Sequence, residues 1–196
     1  MTFIETTTEE AAEGRVAERY DEDLRDDGYV WNLTKVFVQR PEVLDAWRAL
    51  SGSIKAAMGL QRYELATLAA ARQLRSSYCC LAHGKVLRDR LFDAETVRNI
   101  AVDQHAAGLS EADVAAMDFA ERVAADATSI TAEYIDELRS VGLSDLEILD
   151  VALAAAARCF FSKVLDAMGI EPDAAYRSLE PDLRDALTVG RPIAAR

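Results

Sequence analysis

The feature that most constrains the fold is a helical spacing of apolar residues that runs through almost the whole chain. Apolar side chains recur every three or four residues, Ala is the commonest residue, and only nine Gly and four Pro occur among 196 residues. No stretch alternates polar and apolar residues as a half-buried strand would. The sequence therefore predicts an all-α protein.

Turn and capping residues divide the chain into helical segments. Pro41 suits the first turn of one helix, and a Gly follows several others. We expect an acidic N-terminal segment over residues 1–14, a single all-helical domain over 15–178 and a loose tail over 179–196 that contains one short helix. The predicted helices of the domain cover residues 15–26, 42–58, 61–74, 78–90, 93–106, 110–125, 131–140 and 144–168.

The charge of the chain limits its partners. Lys and Arg number 22 and Asp and Glu number 34, which gives a formal net charge of −12. Such a field repels nucleic acid and anionic lipid, and no local basic patch offsets it. The longest strictly apolar run, residues 151–157, is too short to cross a bilayer, and the acidic first fourteen residues do not resemble a signal peptide. We expect a cytoplasmic protein without nucleic-acid or membrane partners.

Three cysteines, Cys79, Cys80 and Cys159, are too few and too unevenly placed for a disulfide framework. A bridge between the adjacent Cys79 and Cys80 would have unfavourable geometry. His83 follows closely in the same segment, so the question that the cysteines raise is one of thiol reactivity.

The segment Ser76 to His83 reads as the start of a helix that could activate a thiol. Ser76 as N-cap would accept a hydrogen bond from the Cys79 amide and place Cys79 in the first turn, where the helix dipole favours an anion. His83 lies four residues later on the same face, within reach of the thiol proton. If the break at residues 75–77 makes the two helices antiparallel, Glu64 can orient the His83 ring.

Less reactive interpretations fit the same residues. The spacing of Glu64, Cys79 and His83 fits an unreactive group, in which the polar atoms only satisfy one another's hydrogen bonds, as well as it fits a catalytic group. Cys80 and Cys159 are each more typical of a small, buried apolar residue than of a reactive thiol. Zinc is a third alternative, but adjacent cysteines on one helix point apart and do not easily bind one ion. We therefore expect neither a metal nor another cofactor.

A weak internal repeat relates two Ala-rich segments. The first has Glu64, Arg75, Ser76, Cys79 and His83, and the same offsets counted from Glu147 give Arg158, Cys159, Ser162 and Asp166. Part of this match follows from composition. The sequence leaves open whether the domain is built from two similar helical units.

The motif resembles that of the AhpD-like branch of the carboxymuconolactone decarboxylase family, in particular its peroxidase-related members. That family has Glu, eleven residues, Cys, two residues, Cys, three residues and His. Glu64, Cys79 and His83 match it, whereas Ser76 stands at the first Cys. The segments 28–47 and 142–173 are also similar to those of the family.

The resemblance implies an AhpD-like helical fold assembled as a homo-oligomer, a dimer, trimer or hexamer. It further implies that Cys79 is the thiol that reacts with a hydroperoxide, that His83 and Glu64 relay protons, and that Tyr78 is a polar gate or proton donor. Ser76 cannot form a disulfide, so oxidised Cys79 would be a sulfenic acid that needs an external thiol reductant. Cys80 and Cys159 are the other internal candidates to reduce it.

The predicted function is thus that of a one-cysteine, thiol-dependent alkyl hydroperoxide reductase, an antioxidant peroxidase. Two alternatives stay open. The first is a non-catalytic oligomeric scaffold or small-ligand binding protein, motivated by Ser76 and by the Ala-rich helices. The second is a cysteine-independent decarboxylase or isomerase, suggested by the family name alone.

Overall fold

The computed structural model describes residues 2–195, and over this range it contains α-helices, three short 3-10 turns and no strand. This confirms the predicted all-α class. The helices are α1 (Gly14–Asp27), α2 (Asn32–Phe37), α3 (Pro41–Met58), α4 (Leu60–Gln73), α5 (Ser77–Arg90), α6 (Ala94–Val102), α7 (Glu111–Asp126), α8 (Ala132–Ser140), α9 (Asp145–Ala167) and α10 (Pro181–Leu187).

Helix α4 is the centre of the molecule. Every residue from 63 to 71 is buried, and the helix packs against α3, α5, α7 and α9. Ala and Leu supply most of these positions, because small side chains let several helices approach a central one closely. Glu64 is also in this stretch, so a carboxylate lies within the core.

Two local departures from the predicted helices have simple causes. Helix α2 was not predicted, since six residues are too few for an apolar period to be recognised. The helix predicted over 93–106 ends at Val102, because the Asp103 side chain accepts the His105 amide and begins a separate 3-10 turn.

The C-terminal stretch packs more closely than the loose tail that we expected. Helix α10 buries Leu183 and Leu187 and contacts α5 and α6. Beyond it, the Gly190 amide donates to Ser77 Oγ at 2.7 Å. A Cβ on Gly190 would lie 2.1 Å from the Arg75 carbonyl oxygen, so this approach requires glycine. The end of the chain thereby holds the start of α5 in place.

None of the helices over residues 2–195 has both the length and the hydropathy that a membrane span requires.

Candidate active site

Helix α5 begins where the sequence predicted, but the Ser76 side chain does not cap it. Ser76 is the N-cap residue and Cys79 lies in the first turn, yet no backbone amide donates to the Ser76 hydroxyl. The expected bond from the Cys79 amide is therefore wrong. The hydroxyl is buried and has no hydrogen-bond partner among the described residues, although its proximity to Asp166 opposes the rise in the Asp166 pKa that burial causes.

The sulfur of Cys79 is buried and contacts polar groups of another helix. The residue is 1% exposed. Ser162 Oγ donates to Cys79 Sγ at 3.1 Å, and Arg158 Nη1 donates to it at 3.4 Å. Arg158 and Ser162 are four residues apart and share the inner face of α9, which a Ser144–Glu147 capping box begins. The sulfur thus lies beside a cation and a hydroxyl, although the residue also belongs to the main hydrophobic core.

Arg158 is itself enclosed. Its guanidinium carbon lies 5.5 Å from the centre of the Trp47 ring and 5.6 Å from that of Phe161. Burial disfavours the charged guanidinium, but the Cys79 sulfur and the Tyr63 hydroxyl outweigh burial and raise the Arg158 pKa above its ordinary value. Arg158 is therefore a permanent positive charge next to the thiol.

Glu64 and His83 form a second polar group. His83 Nδ1 lies 2.6 Å from Glu64 Oε2, and Lys55 Nζ lies 2.8 Å from Glu64 Oε1. Burial works against the charged carboxylate, but the hydrogen bonds and charges of His83 and Lys55 prevail and lower the Glu64 pKa. The packing of α4 against α5 does bring these two residues together, as expected for antiparallel helices.

The surroundings of the His83 ring favour its neutral form. Burial and the Arg158 charge lower its pKa, and the bond to Glu64 only partly opposes them. Because an ionised Glu64 can only accept a hydrogen bond, the Nδ1 atom of His83 carries the proton and Nε2 carries the lone pair. His83 is then a base with its acceptor nitrogen directed away from Glu64. No hydrogen bond joins His83 to Cys79 among the described residues.

The accessory residues lie outside this group. The buried Tyr78 hydroxyl donates to Asp173, which also accepts the Asn32 amide at 2.8 Å. Burial and the Asp173 charge raise the Tyr78 pKa well above its ordinary value. Cys80 is fully buried, and burial raises its thiol pKa.

Cys159 is half-buried on α9, and burial raises its pKa as well. It forms no disulfide with Cys79 within residues 2–195. The three cysteines are free thiols.

A cavity of about 350 Å³ opens onto the Glu64–His83 pair. Arg158 forms part of its wall, whereas Cys79 does not line it, so Arg158 stands between the cavity and the sulfur. The remaining wall combines cationic, hydroxyl and aromatic side chains, among them Arg48, Ser51, Lys55, Tyr63, Trp47 and Phe161.

Sequence patterns alone did not assign Arg158, Ser162 or Lys55 to the site. A signal existed for two of them, because the internal repeat placed Ser162 at the position of Cys79 and Arg158 at that of Arg75. That alignment could have suggested that α5 and α9 meet at these residues. Lys55 had no such signal, since its partner Glu64 follows only after a turn.

No protein-family model and no curated protein matches the sequence. Solved structures do match. A peroxidase-related protein of Ralstonia eutropha JMP134, described as an alkylhydroperoxidase AhpD core, is 22% identical with a TM-score of 0.76, over 89% of this chain and 94% of its own. An uncharacterized peroxidase-related protein of Silicibacter sp. TM1040 is 20% identical with a TM-score of 0.77, over 88% and 94%.

The debrominase Bmp8 is also similar. Its apo structure is 17% identical with a TM-score of 0.71, over 93% of this chain and 96% of its own. A cysteine-to-alanine variant of that enzyme, in complex with 2,3,4-tribromopyrrole, gives a TM-score of 0.69. These likenesses confirm the sequence resemblance at the level of the fold: the chain has the AhpD-like helical fold.

Proposed function

We propose that the protein is a thiol-dependent hydroperoxide reductase in which Cys79 is the reacting thiol. The observation that carries this proposal is the contact of Arg158 and Ser162 with the Cys79 sulfur. A guanidinium and a hydroxyl donor at a sulfur atom stabilise a thiolate, which is the nucleophilic form. A thiol kept only for packing would not need a buried cation beside it.

In the proposed reaction the Cys79 thiolate attacks the terminal oxygen of a hydroperoxide. The sulfur–oxygen bond forms as the oxygen–oxygen bond breaks, so the sulfur is oxidised to a sulfenic acid and the substrate is reduced to an alcohol. Because Arg158 separates the cavity from the sulfur, its side chain moves aside or hydrogen-bonds to the substrate when the peroxide enters. A guanidinium in that place also stabilises the charge on the departing alkoxide.

His83 moves the proton. The neutral ring accepts the thiol proton at Nε2 and returns it to the alkoxide, while Glu64 stabilises the imidazolium formed in between. Lys55 keeps Glu64 ionised for this role. The transfer between Cys79 and His83 is indirect and is completed by the substrate, since resting sites often tighten only when the substrate binds.

An external thiol completes the cycle. It attacks the sulfenic acid of Cys79 and releases water, and a second thiol then reduces the mixed disulfide. Ser76 supplies no second sulfur, and neither Cys80 nor Cys159 forms a disulfide with Cys79 among the described residues. These facts favour a one-cysteine cycle over an internal disulfide.

The direct test is the consumption of cumene hydroperoxide by the purified protein with dithiothreitol as reductant. Cys79→Ser should abolish protein-dependent turnover, and the matched variant Cys159→Ser should retain it. Equal turnover by Cys79→Ser and the unaltered protein would overturn the proposal and leave the non-catalytic alternative.

A second candidate is reductive dehalogenation of an aromatic ring. The likeness to the debrominase Bmp8 and the aromatic wall of the cavity favour it, since Trp47 and Phe161 are stacked at 4.5 Å with an interplanar angle of 8°. A thiol attacks a polarised bromine as it does a peroxide oxygen, the carbon takes a proton, and external thiol releases bromide. Bromide release from 2,3,4-tribromopyrrole, compared with cumene hydroperoxide consumption under the same conditions, separates the two activities.

The homo-oligomer and the cytoplasmic location also stay proposals. Four exposed apolar side chains support a second copy as partner, because they lie on one face of α9 at spacings of three, four and seven residues: Leu146, Leu149, Leu153 and Phe160. Antiparallel pairing of two such helices would place Asp145 of one copy near Lys163 of the other. A dimer is the smallest assembly that covers this apolar face.

A further inference from the structure

A second cavity, of about 420 Å³, lies beside the first. It shares Trp47, Arg48 and Phe161 with the cavity at Glu64 and His83, so the two form neighbouring parts of one groove. Its wall combines carboxylates with apolar groups. Carboxylates come from Glu22, Asp23, Asp26 and Asp27, and apolar groups from Trp31, Leu33, Leu44, Trp47 and Phe161.

Two of these carboxylates are fixed in place without being neutralised. The Trp31 amide donates to Asp23 Oδ2 at 3.1 Å, and its indole Nε1 donates to Asp27 Oδ2 at 2.8 Å. Asp23 and Asp27 are one helical turn apart on α1, so one tryptophan holds both. Neither forms an ion pair with a Lys or Arg among residues 2–195, whereas Glu22 pairs with Arg19 and Arg48.

A buried hydroxyl in the same cavity has no hydrogen-bond partner. Thr34 is 1% exposed and lines the cavity, and its Oγ1 atom is unpaired. Leaving such a group unsatisfied costs about 1–3 kcal/mol, so native proteins seldom do so without a ligand or water to complete it. The Thr34 hydroxyl and the two carboxylates together offer three acceptors in the wall of one cavity.

This combination has a defined chemical complement. A primary ammonium carries one positive charge and three donors, which match two carboxylates and a hydroxyl. Indole faces attract cations in addition. A metal ion does not fit as well, because no three carboxylate, His or Cys groups among the described residues are placed to hold one.

We propose that this cavity binds a primary ammonium group whose apolar body lies along Trp47 and Phe161 toward His83. The ammonium lies between Asp23, Asp27 and Thr34. If the proposed thiol chemistry holds, on which this step rests, the substrate is an amphiphile with an amine at the end remote from the reacting group. Binding itself does not depend on that chemistry.

The test is calorimetric titration of the Cys79→Ser protein with octylammonium chloride, with 1-octanol and octanoate as matched ligands of the same length. This protein turns nothing over under the proposed function, so binding is measured apart from activity. Octylammonium should bind at least tenfold more tightly than either of the other two. Equal binding of octylammonium and 1-octanol would overturn the proposal.

Variants locate the site. Asp27→Asn should weaken octylammonium binding about tenfold, while Asp21→Asn, which removes the same charge from α1 outside the cavity, should leave it within twofold. Thr34→Val should weaken binding several-fold without lowering the melting temperature, because it removes an unpaired hydroxyl at nearly constant volume. Equal effects of Asp27→Asn and Asp21→Asn would mean that octylammonium responds only to the net charge of the protein, and would refute the site.

Discussion

Arg158 Nη1 donates a hydrogen bond to Cys79 Sγ across 79 residues of sequence. The contact joins the first turn of α5 to the middle of α9, and both residues are buried. Under the proposed function, the helix dipole of α5 and the guanidinium from α9 would both stabilise the Cys79 thiolate. The guanidinium of Arg158 reaches the sulfur only through the tertiary structure.

Replacing Arg158 tests whether its guanidinium stabilises the Cys79 thiolate. Arg158→Met keeps the length and apolar packing of the side chain but removes its charge, so iodoacetamide should alkylate Cys79 at least tenfold more slowly at pH 7. A hydrogen bond to a charged group is worth about 1.5–3 kcal/mol, which corresponds to such a factor. Site-resolved mass spectrometry distinguishes Cys79 from Cys80 and Cys159. Arg158→Lys is the control, and an unchanged rate in Arg158→Met would show that the cation does not activate the thiol.

The sequence predicted the part of the site that depends on local spacing. Cys79 and His83 are four residues apart on one helix, and Glu64 follows from an antiparallel turn between two successive helices. The sequence did not predict the sulfur's actual partners, because Arg158 and Ser162 reach it only through the packing of α9 against α4 and α5. The tautomer of His83 likewise depends on burial, which no spacing reveals.

The helices were likewise predicted where local sequence determines them, and missed where distant contacts do. Helices with caps and several apolar periods were predicted nearly to their ends, as in α9, where Ser144 caps the first turn. The six residues of α2 and the docking of Gly190 against Arg75 were not predicted, since they depend on contacts with distant segments. The AhpD-like fold itself was implied by the resemblance of the motif around Glu64 and Cys79.

Glu64 is the next residue to test. Glu64→Gln keeps the shape of the side chain but loses the charge that binds both His83 and Lys55. Peroxide turnover should fall about 100-fold, as for the loss of a proton relay. The free energy of unfolding should fall by about 1–3 kcal/mol, because two charge-assisted bonds weaken inside the core. Glu121→Gln, at a half-buried carboxylate near Arg72, is the control and should leave turnover unchanged.

The lowered pKa of His83 predicts how stability depends on pH. Below its ordinary value of 6.5 the unfolded chain binds a proton that the folded ring does not, so the free energy of unfolding should decrease as the pH falls from 6.5 and level off below the folded pKa. The lowered pKa of Glu64 adds a further loss in more acidic solution, as the pH falls below its ordinary value of 4.5 through the folded pKa. Urea unfolding at several pH values measures both.

His83→Gln separates the two contributions. The variant should lose the decrease just below pH 6.5 and retain the more acidic one. An unchanged decrease below pH 6.5 in the variant would mean that the folded ring is already protonated there, and His83 could not be the resting base.

The exposed face of α9 predicts self-association. Leu149→Glu combined with Leu153→Glu should convert a dimer to a monomer, because it places four like charges in a symmetric interface. Light scattering with size-exclusion chromatography measures the change. Val102→Glu, at an even more exposed apolar residue of α6, is the control. A dimer that survives the double substitution would have another interface.

The last prediction concerns the residue that distinguishes this motif from the family pattern. Ser76 is fully buried three residues before Cys79, and cysteine differs from serine there by one atom. Under the one-cysteine proposal, peroxide-treated protein should carry a sulfenic acid at Cys79 that dimedone labels. In Ser76→Cys the new thiol should capture that sulfenic acid as an intramolecular disulfide, so dimedone labelling should be lost and the oxidised protein should be two hydrogen masses lighter.

The control is Cys80→Ser, which dimedone should label like the unaltered protein. If the unaltered protein shows no dimedone adduct and Cys80→Ser restores one, Cys80 already resolves the sulfenic acid and the cycle uses two cysteines.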